Sequence, residues 1–361
     1  MIGTRGYPSY YGGFETLVRG LSPYLVDKGW VVDVYSRPGN VAKDDPLLDR
    51  RVTSVETRGL EKKSLSTLSY GLTASLDSAR KQHDVALVMN VANGFWLPLL
   101  KKRGISTVVN VDGLEWERAK WGKLAKSTFY LGAKLTARYA DKLVYDSAAI
   151  SNYWGERFGR EGQFIPYGGD SEYPTLETPR FAPGTYILMV ARFVPENSIQ
   201  EFLDAISGIE SHDVVVVGSS GFGGPFEDQL RSMSAKNRNI HWLGHIKDDR
   251  LLFSLWENCA AYFHGHSVGG TNPALVQAMA CGAPTVARDT VYNREVLADN
   301  AVFVEPESNA IARALVDVAS SKAKQSELRN GAIARASVCY TWPSVYDAYH
   351  ELLESALSPK P

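Results

Sequence analysis

The sequence contains few cysteines: Cys259, Cys281 and Cys339 are the only three in 361 residues. They are widely spaced and form no Cys-x-x-Cys pair, which argues against a disulfide framework and a cysteine metal site. Long hydrophobic runs are also missing. No apolar stretch reaches the roughly 20 residues that span a bilayer, and the first residues lack the charged-then-apolar layout of a signal peptide. These absences predict a reduced, cytoplasmic protein.

An excess of one charge is absent as well. The formal net charge is −1, so no overall field attracts nucleic acid, and we expect no nucleic-acid partner. Hydrophobic residues make up 44% and charged residues 22%, which is typical of soluble globular domains and not of disordered chains. A chain of 361 residues exceeds the size at which one core usually stops growing, which predicts two domains.

Short β-branched runs alternate with longer amphipathic stretches in the first half of the sequence. The alternation predicts βαβ units, a parallel sheet and the α/β fold class. The predicted strands are 31–36, 84–90, 106–111 and 142–146, and the predicted helices are 14–28, 66–82, 94–102, 117–140 and 147–158.

The same pattern starts again in the second half. A proline- and glycine-rich connection separates the halves, so we place the domain boundary near residue 174. The predicted domains are 1–174 and 175–341, followed by a tail helix within 342–361 that has Pro343 in its first turn. The second set comprises strands 186–190, 213–218, 240–242, 260–264 and 284–287, and helices 196–208, 225–236, 248–256 and 272–281.

The first domain lacks one expected element. A strand should precede the glycine loop that starts at Gly3, but only Met1 and Ile2 are available, whereas strands usually have about 5–6 residues. A parallel sheet without its first central strand would leave an exposed edge. We therefore expect that the first strand is truncated.

Three glycine-rich loops are candidate ligand sites. In the first, Gly12 and Gly13 would let the backbone approach a phosphate at the start of the next helix. The second begins at Gly218, directly after an apolar strand, where ligands of open parallel sheets bind. Each loop has a plain alternative, a strand-to-helix turn or a flexible loop without a ligand.

The third loop follows the strand that ends at His264. Gly269 and Gly270 allow close backbone approach, Thr271 or Asn272 can cap the next helix, and Pro273 suits its first turn. Two such helix starts, one in each domain, suggest a diphosphate held across a cleft.

Four motifs in order resemble the retaining GT-B glycosyltransferases of the group 1, family 4-like class, and in particular a bacterial rhamnosyltransferase-like subgroup. They are Gly-Thr-Arg-Gly-x-Pro-x-x-Tyr-Gly-Gly-Phe-Glu-Thr at 3–16, Asp112-Gly-Leu-Glu-Trp116, Arg192-Phe-Val-Pro-Glu-Asn197 and His266-Ser-Val-Gly-Gly-Thr-Asn-Pro273. The resemblance implies two Rossmann-like domains that face a cleft, with the acceptor on the first and the nucleotide-sugar on the second. It also implies that the last helix packs back on the N-terminal domain and that no metal or other cofactor is needed.

The donor site departs from that class at its carboxylates. The class has two glutamates eight positions apart, one near the sugar and one on the ribose, and the matching positions here hold Gly269 and Gln277. An amide can still hydrogen-bond ribose hydroxyls. We therefore expect Gln277 to bind the ribose, while backbone N–H groups meet the sugar; if the site is degraded, Gln277→Glu should raise donor affinity.

A second departure lies at the diphosphate. The resemblance places an arginine and, five positions later, a lysine on the donor phosphates. Arg192 matches the first position, but Asn197 occupies the second. Arg192 is therefore the cation that we expect on the leaving diphosphate, the alternative being a surface arginine at a strand end.

Candidate residues for chemistry and for the acceptor follow from the same motifs. Asp112 stands where many relatives have a histidine, and we expect it to contact sugar or acceptor; the alternative is a loop or cap aspartate. His266 is expected to touch the donor sugar, and no carboxylate or cysteine stands at a spacing that would make it a metal ligand with His264. The acceptor is assigned to Tyr11, Glu15, Glu115 and Trp116.

Residues 115–142 combine basic and aromatic side chains. This pattern is typical of a helix at a membrane surface, and equally of a solvated helix whose aromatic face packs on the domain. Because the resembled class often acts on lipid-diphosphate-linked sugars, we favour peripheral membrane contact.

The resulting prediction is a retaining transferase that moves a hexose or deoxyhexose, with rhamnose as the candidate sugar, from a nucleotide-diphosphate donor to a saccharide or lipid-linked saccharide in surface polysaccharide synthesis. An epimerase would need titratable groups on both faces of the sugar carbon, which we do not find. A NAD-dependent oxidoreductase is disfavoured because Gly3 and Gly6 lack a spaced third glycine. The remaining alternative is a catalytically silent GT-B scaffold that binds a nucleotide or a partner without turnover.

Overall fold

The computed structural model describes residues 1–357 except 11, 43, 47, 62, 119–120, 174–175, 177–180 and 222. The chain forms two compact units. The N-terminal unit comprises Met1–Tyr167 and Trp342–Pro361, and the C-terminal unit comprises Gly168–Thr341. The division falls before the predicted boundary near 174 because Ile165 and Tyr167 are buried in the core of the N-terminal unit.

The N-terminal unit alternates helices and short strands, as the β-branched pattern predicts. Its elements are α1 (Gly13–Asp27), β1 (Asp33–Ser36), β2 (Thr53–Glu56), α2 (Lys63–Lys81), β3 (Val85–Met89), a 3₁₀ helix (Val91–Trp96), α3 (Leu97–Lys102), β4 (Ser106–Asn110), a 3₁₀ turn (Glu115–Glu117), α4 (Lys123–Tyr139), β5 (Lys142–Tyr145), α5 (Ala148–Phe158), β6 (Gln163–Phe164) and α13 (Trp342–Leu357).

All strand pairs of this unit are parallel, in a four-stranded sheet of order β3-β4-β5-β6 and a pair β1-β2. The first two residues lie between them. Ile2 forms a bridge to Val88, and the carbonyl of Met1 accepts a hydrogen bond from Tyr35 N at 3.0 Å. Met1 and Ile2 therefore occupy the position of the expected first strand.

The predicted helix over 117–140 is wrong at its start. Helix α4 begins only at Lys123, after Gly122 in an extended conformation. Its buried face is made of Phe129, Gly132 and Ala133, and Gly132 brings it against the 3₁₀ helix, where a side chain would overlap the carbonyl oxygen of Val91. The backbone before Lys123 thus leaves the helical path, while the apolar periodicity of 123–139 is that of a packed helix.

The tail helix α13 packs on the N-terminal unit, as predicted. Val345, Tyr349 and Leu352 are part of that unit's core. The hydroxyl of Tyr349 accepts a buried hydrogen bond of 2.7 Å from Asn110 Nδ2, at the end of β4. A residue of the tail therefore supports an edge of the sheet that carries candidate site residues.

The C-terminal unit repeats the alternation. Its elements are β7 (Tyr186–Val190), a 3₁₀ turn (Pro195–Asn197), α6 (Ile199–Ile206), β8 (Asp213–Val217), α7 (Pro225–Lys236), β9 (Ile240–Gly244), α8 (Asp249–Asn258), β10 (Ala261–His264), α9 (Pro273–Ala280), β11 (Thr285–Arg288), α10 (Val291–Leu297), β12 (Ala301–Val304), α11 (Ser308–Ala319) and α12 (Lys322–Cys339).

Its six strands form one parallel sheet of order β12-β11-β10-β7-β8-β9. Alternate residues of β8 enter two separate cores, Val215 and Val217 on one face and Val214 and Val216 on the other. Burial on both faces explains why these strands are continuous apolar runs and lack the alternation of a half-exposed strand. Both units are thus doubly wound and Rossmann-like.

Candidate functional site

The sheet of the C-terminal unit has one topological switch point. The chain passes from β7 outward to β8 and β9, and then returns to β10 on the other side of β7. In open parallel sheets, ligands bind beyond the carboxyl ends of the strands at such a point. The loops that follow β7 and β10 contain Arg192 and His266, and Gly218 follows the adjacent β8. The fold therefore brings these three predicted residues to one edge.

The loops after β7 and β10 are joined by hydrogen bonds. The carbonyl of Glu196 accepts from Ser267 N and from Ser267 Oγ, both at 2.9 Å. Ser198 Oγ donates to the carbonyl of Gly265 at 2.8 Å. Gly265 is required here, because a Cβ at that position would overlap the carbonyl oxygen of Asn197. The two loops therefore form one rigid rim at the switch point.

Asn197, which replaces the expected lysine, belongs to this rim. Its Nδ2 donates to the carbonyl of Arg192 at 2.7 Å, and its Oδ1 lies 2.6 Å from His266 Nδ1. Because the amide oxygen can only accept, this network assigns the proton to His266 Nδ1, which makes Nε2 an acceptor in the neutral ring. Asn293 Nδ2 also donates to the carbonyl of His266 at 2.9 Å. Asn197 thus orients the ring of His266, whereas the lysine expected at this position would bind phosphate as a cation.

Arg192 is the exposed cation of this edge. Its carbonyl is held by Asn197, while its guanidinium has no partner among the described residues. A fixed backbone with an available planar cation suits bidentate binding of a phosphate.

The same edge contains buried polar atoms that the sequence did not identify as functional. Glu196 is 8% exposed, and neither of its carboxylate oxygens has a partner in the described part of the chain. His264 Nε2 is likewise buried without a partner, and burial, with a smaller effect of His266, lowers the pKa of His264 to about 3. Glu196 lies inside the third motif, but only its tertiary burial distinguishes it from an ordinary surface glutamate.

The third glycine loop has the geometry that its residues predict. Gly269 adopts φ +94, a conformation that residues with a Cβ rarely adopt. Asn272 caps α9 by accepting from Ala274 N at 3.0 Å, with Pro273 at the first helical position. Gly270 and the buried Thr271 lie between them. The start of α9 is thus a capped helix terminus next to the rim.

The loop after β8 is closed by its own carboxylate. Ser220 N and Ser220 Oγ donate to Glu227 Oε1 at 2.6 and 2.5 Å. Burial raises the pKa of Glu227, but these hydrogen bonds outweigh it and hold the pKa below its ordinary value. Glu227 lies in the first turn of α7. The N-terminus of α7, which follows the second glycine loop, is therefore already next to a carboxylate of the chain itself. Gly218 itself is required by packing, since a Cβ would overlap the carbonyl oxygen of Ala191.

Gln277, assigned to the ribose, is engaged with the main chain. Its Oε1 accepts from Asp170 N at 2.9 Å, and its Nε2 donates to Asp170 O at 3.0 Å. The side chain is 8% exposed. This pair anchors the segment at Asp170 to α9. Nε2 also donates to Cys281 Sγ at 3.5 Å, so a ribose contact would have to use the remaining lone pair of Oε1.

Gln277→Glu is expected to destabilise the C-terminal unit by about 2 kcal/mol at pH 8, because a buried carboxylate replaces the donor to Asp170 O. The protonated carboxyl can still donate, and burial beside a carbonyl raises its folded-state pKa. The loss should therefore be small below about pH 4 and should grow as the pH rises through the raised pKa. Urea denaturation across this pH range measures it.

Gln229→Glu in α7 is the matched control, because this half-buried side chain has no hydrogen-bond partner among the described residues. Its stability should follow wild type at every pH. An unchanged stability of Gln277→Glu at pH 8, or a gain in nucleotide affinity, would contradict a structural role of the Asp170 pair.

The N-terminal unit has a corresponding edge. Asn90 and Asp112 follow the adjacent strands β3 and β4, and both adopt left-handed backbones, with φ +70 and +62. Asn90 Nδ2 donates to Asp112 Oδ2 at 3.0 Å, and Asp112 N donates to Asn110 Oδ1 at 3.0 Å. Strained residues held by such networks cluster at functional sites. Asp112 Oδ1 has no partner within the described residues, so it is available to a ligand hydroxyl.

The first glycine loop lies at this edge as well. Glu15, in the first turn of α1, is buried, accepts from Arg5 N at 2.9 Å, and has its pKa raised by burial. Arg37 is 7% exposed, its Nε has no described partner, and burial followed by the charge of Arg5 lowers its pKa. Gly12 adopts φ −172 with only Glu15 Oε2 near an added Cβ, at 3.5 Å. The fold does not itself require glycine at 12.

Glu115 and Trp116, two of the other residues assigned to the acceptor, have partners inside the unit. Glu115 Oε2 accepts from Trp121 Nε1 at 2.7 Å, and its Oε1 forms an ion pair with Arg118 at 2.6 Å. Trp116 Nε1 donates to Tyr153 OH at 3.3 Å. Tyr11 lies outside the described residues. The role of these three in acceptor binding stays a prediction.

The described part of the chain contains no group of three or more His, Cys, Asp or Glu side chains placed to hold a metal ion. None of its helices is long and apolar enough to cross a bilayer.

Residues 178–335 match the family described as Glycosyl transferases group 1. Residues 65–170 match a second family, described as Domain of unknown function (DUF1972). No curated protein matches the chain.

Solved structures share the fold of the whole chain. A sucrose-phosphate synthase from Thermosynechococcus elongatus is 17% identical with a TM-score of 0.80, over 96% of this chain and 94% of that one. HepE from Anabaena, in complex with UDP, is 16% identical with a TM-score of 0.73 over 97% of both chains. A HepE complex with UDP-glucose is 15% identical with a TM-score of 0.73, over 96% and 97%. Residues 178–335, in the C-terminal unit, are therefore similar to a group 1 glycosyl transferase domain, and the chain has a two-domain GT-B fold.

Proposed function

We propose that this protein transfers a hexose or deoxyhexose from a nucleotide-diphosphate donor, with retention at the sugar carbon, to a saccharide or lipid-linked saccharide acceptor. The observation that carries the proposal is the rim at the switch point of the C-terminal unit, where Arg192 has an available guanidinium and its backbone is joined through Asn197 to His266. The UDP and UDP-glucose complexes of HepE, a structure with the same fold, support a donor of this class.

In the proposed reaction the bond between the sugar carbon and the diphosphate oxygen breaks, and a bond to the acceptor oxygen forms on the same face. The leaving phosphate takes the proton of the acceptor hydroxyl, so no strong protein base is required. Arg192 stabilises the charge that develops on the diphosphate. His266 Nε2 accepts from a sugar hydroxyl, and the buried carboxylate of Glu196 is satisfied by hydroxyls of the donor.

For the acceptor, we assign Asp112 Oδ1 to a sugar or acceptor hydroxyl. The buried guanidinium of Arg37, near the charge of Arg5, favours an acceptor that bears phosphate, such as a lipid-diphosphate-linked sugar. Gly12 supports the same view, because a glycine that its own backbone does not require suggests close approach of a ligand.

The proposal has four further parts: rhamnose as the sugar, surface polysaccharide as the product, a cytoplasmic location at the inner face of a membrane, and independence from metal.

A thermal-shift screen with UDP, dTDP, GDP and ADP tests donor binding. A nucleotide at about 100 times its dissociation constant should stabilise the chain by roughly 2.7 kcal/mol, which raises Tm by several degrees. The nucleotide that binds is then offered as its sugar derivatives with lipid-linked and free saccharide acceptors, and the anomeric configuration of the product is read by NMR.

The rival function is a silent scaffold, which the engagement of Gln277 with Asp170 favours. Nucleotide binding without transfer or hydrolysis of any donor would support the scaffold over the enzyme. No shift with any nucleotide would reject both, and an inverted product would reject retention alone.

A further inference from the structure

The N-terminal unit contains an apolar groove between α2 and α4, which we call the leucine groove. It is lined by Leu65, Leu68 and Leu72 of α2, by Trp96, and by Leu124 and Leu131 of α4, and it has a volume of about 600 Å³. The polar side chains among its lining residues are the hydroxyls of Ser69, Ser127 and Thr128 and the indole of Trp96, and no charged side chain of the described chain lines it. The volume falls within the range of roughly 300–1,000 Å³ that is typical of ligand sites.

The leucine side chains along the edges of the leucine groove are exposed to a degree that the fold does not explain. Leu124 is 84% exposed, and Leu65 and Leu131 are 49% and 48% exposed. Single exposed leucines are ordinary, but a contiguous set around an apolar groove marks an interaction surface. Leu124 and Leu131 lie two turns apart on one face of α4, opposite the buried Phe129 and Ala133.

The aromatic residues of 115–142 do not line this groove. Trp116 packs in a cluster with Tyr130, Tyr153 and Phe158, at centroid distances of 5.7 to 6.4 Å. Trp121 packs on Phe129 at 5.2 Å. The predicted aromatic face of 115–142 thus packs inside the unit, and the outward apolar side chains are leucines.

The charges of α4, which forms one wall of the groove, have one sign. Helix α4 contains Lys123, Lys126, Lys134 and Arg138 and no acidic residue, and three of these cations, Lys123, Lys134 and Arg138, are exposed. Two copies of the chain that packed groove to groove would bring these cations together, which disfavours self-association. Exposed leucines beside cations match the hydrocarbon and the anionic headgroups of a bilayer surface.

We infer that the leucine groove is the membrane-docking surface of this protein, and that it takes up hydrocarbon of a bilayer whose anionic headgroups contact α4. The inference deepens the membrane contact proposed above and rests on it, but it does not depend on the donor chemistry. It replaces an aromatic helix with a leucine-lined groove as the part of the molecule that enters the bilayer.

Co-sedimentation of the full chain with phosphatidylcholine vesicles, with and without phosphatidylglycerol, tests the inference. Wild type should bind the vesicles that contain phosphatidylglycerol, and added salt should weaken the binding. The double variant L124Q/L131Q should lower the partition coefficient at least about tenfold, because two leucines no longer enter hydrocarbon. K123Q/K134Q should lower it about fivefold per lysine.

The matched control is V291Q/V338Q, which removes two exposed apolar side chains of the C-terminal unit, 60% and 80% exposed. It should bind vesicles as wild type does. UDP or dTDP affinity in solution should be the same for all variants, which separates this test from the test of donor binding.

Three results would overturn the inference. They are absence of vesicle binding by wild type at low salt, equal binding of L124Q/L131Q and wild type, and a lipid-free dimer that L124Q/L131Q abolishes, which would assign the groove to a second copy. If the double variant does not fold, a second experiment tests the inference. An environment-sensitive dye is attached to the cysteine of a Leu124→Cys variant that also carries Cys339→Ser. Its emission should shift to the blue with anionic vesicles, and unchanged emission rejects the groove.

Discussion

Gly218→Ala is expected to lower the free energy of unfolding of the C-terminal unit by about 4 kcal/mol, which combines backbone strain with overpacking. Gly218 adopts φ +129, and an added Cβ would overlap the carbonyl oxygen of Ala191. That oxygen belongs to the backbone of the loop after β7 and cannot rotate away as a flexible side chain could. Relief would require β7 and β8 to move apart, although Ala191 N donates to Val217 O at 3.1 Å.

Differential scanning calorimetry measures this loss as a fall in Tm of about 8–16 °C for a unit of this size. Gly208→Ala is the control, because Gly208 has no atom within 4 Å of an added Cβ and no positive φ. Its Tm should stay at the wild-type value or rise slightly. A Gly218→Ala protein as stable as the control would show that the loops after β7 and β8 are not packed as described.

Arg192→Ala is expected to weaken UDP or dTDP binding about 10- to 100-fold, since a hydrogen bond to a charged group contributes about 1.5–3 kcal/mol. Transfer should fall by at least the same factor, because charge on the leaving diphosphate grows in the transition state. The side chain is exposed and has no partner in the described part of the chain. Stability should therefore stay within about 0.5 kcal/mol of wild type.

Isothermal titration calorimetry with whichever of the two nucleotides wild type binds gives the affinity, and donor hydrolysis or transfer gives the rate. Arg192→Lys should recover part of the binding, because it keeps the charge and loses the planar fork. Arg313→Ala, an exposed arginine of α11, controls for the loss of one positive charge. Equal nucleotide affinity of Arg192→Ala and Arg313→Ala would exclude Arg192 from the diphosphate.

Sequence patterns located most elements because β-branched runs and amphipathic periods are local signals. The predicted helix 225–236 coincides with α7, and strand 186–190 with β7. Three strands were missed for a physical reason: β12 is half-buried throughout, β2 is mostly exposed, and β6 has only two residues, neither of them buried, so none is the continuous apolar run of a central strand. Helices α10, α11 and α12 were also missed, and α12 has a mixed sequence with only four buried residues in 18.

The sequence by itself determined where the chain can turn and cap. Gly269 and Gly218 permit positive φ, Asn272 and Pro273 start α9, and four ordered motifs imply the fold; each depends on residues that are neighbours along the chain. Only the tertiary structure decided which polar groups remain available to a ligand. Gln277 is engaged by Asp170, 107 positions away, and Asn197 by His266, 69 positions away.

Packing also decided which exposed side chains have no partner. Trp116 packs on Tyr130 and Trp121 on Phe129, while leucines of α2 and α4, far apart in sequence, share one groove. The type of a residue shows what its side chain can bind. The partner that the side chain actually binds depends on elements that meet only on folding, because a buried hydrogen-bonding group must pair with a group that the fold places beside it.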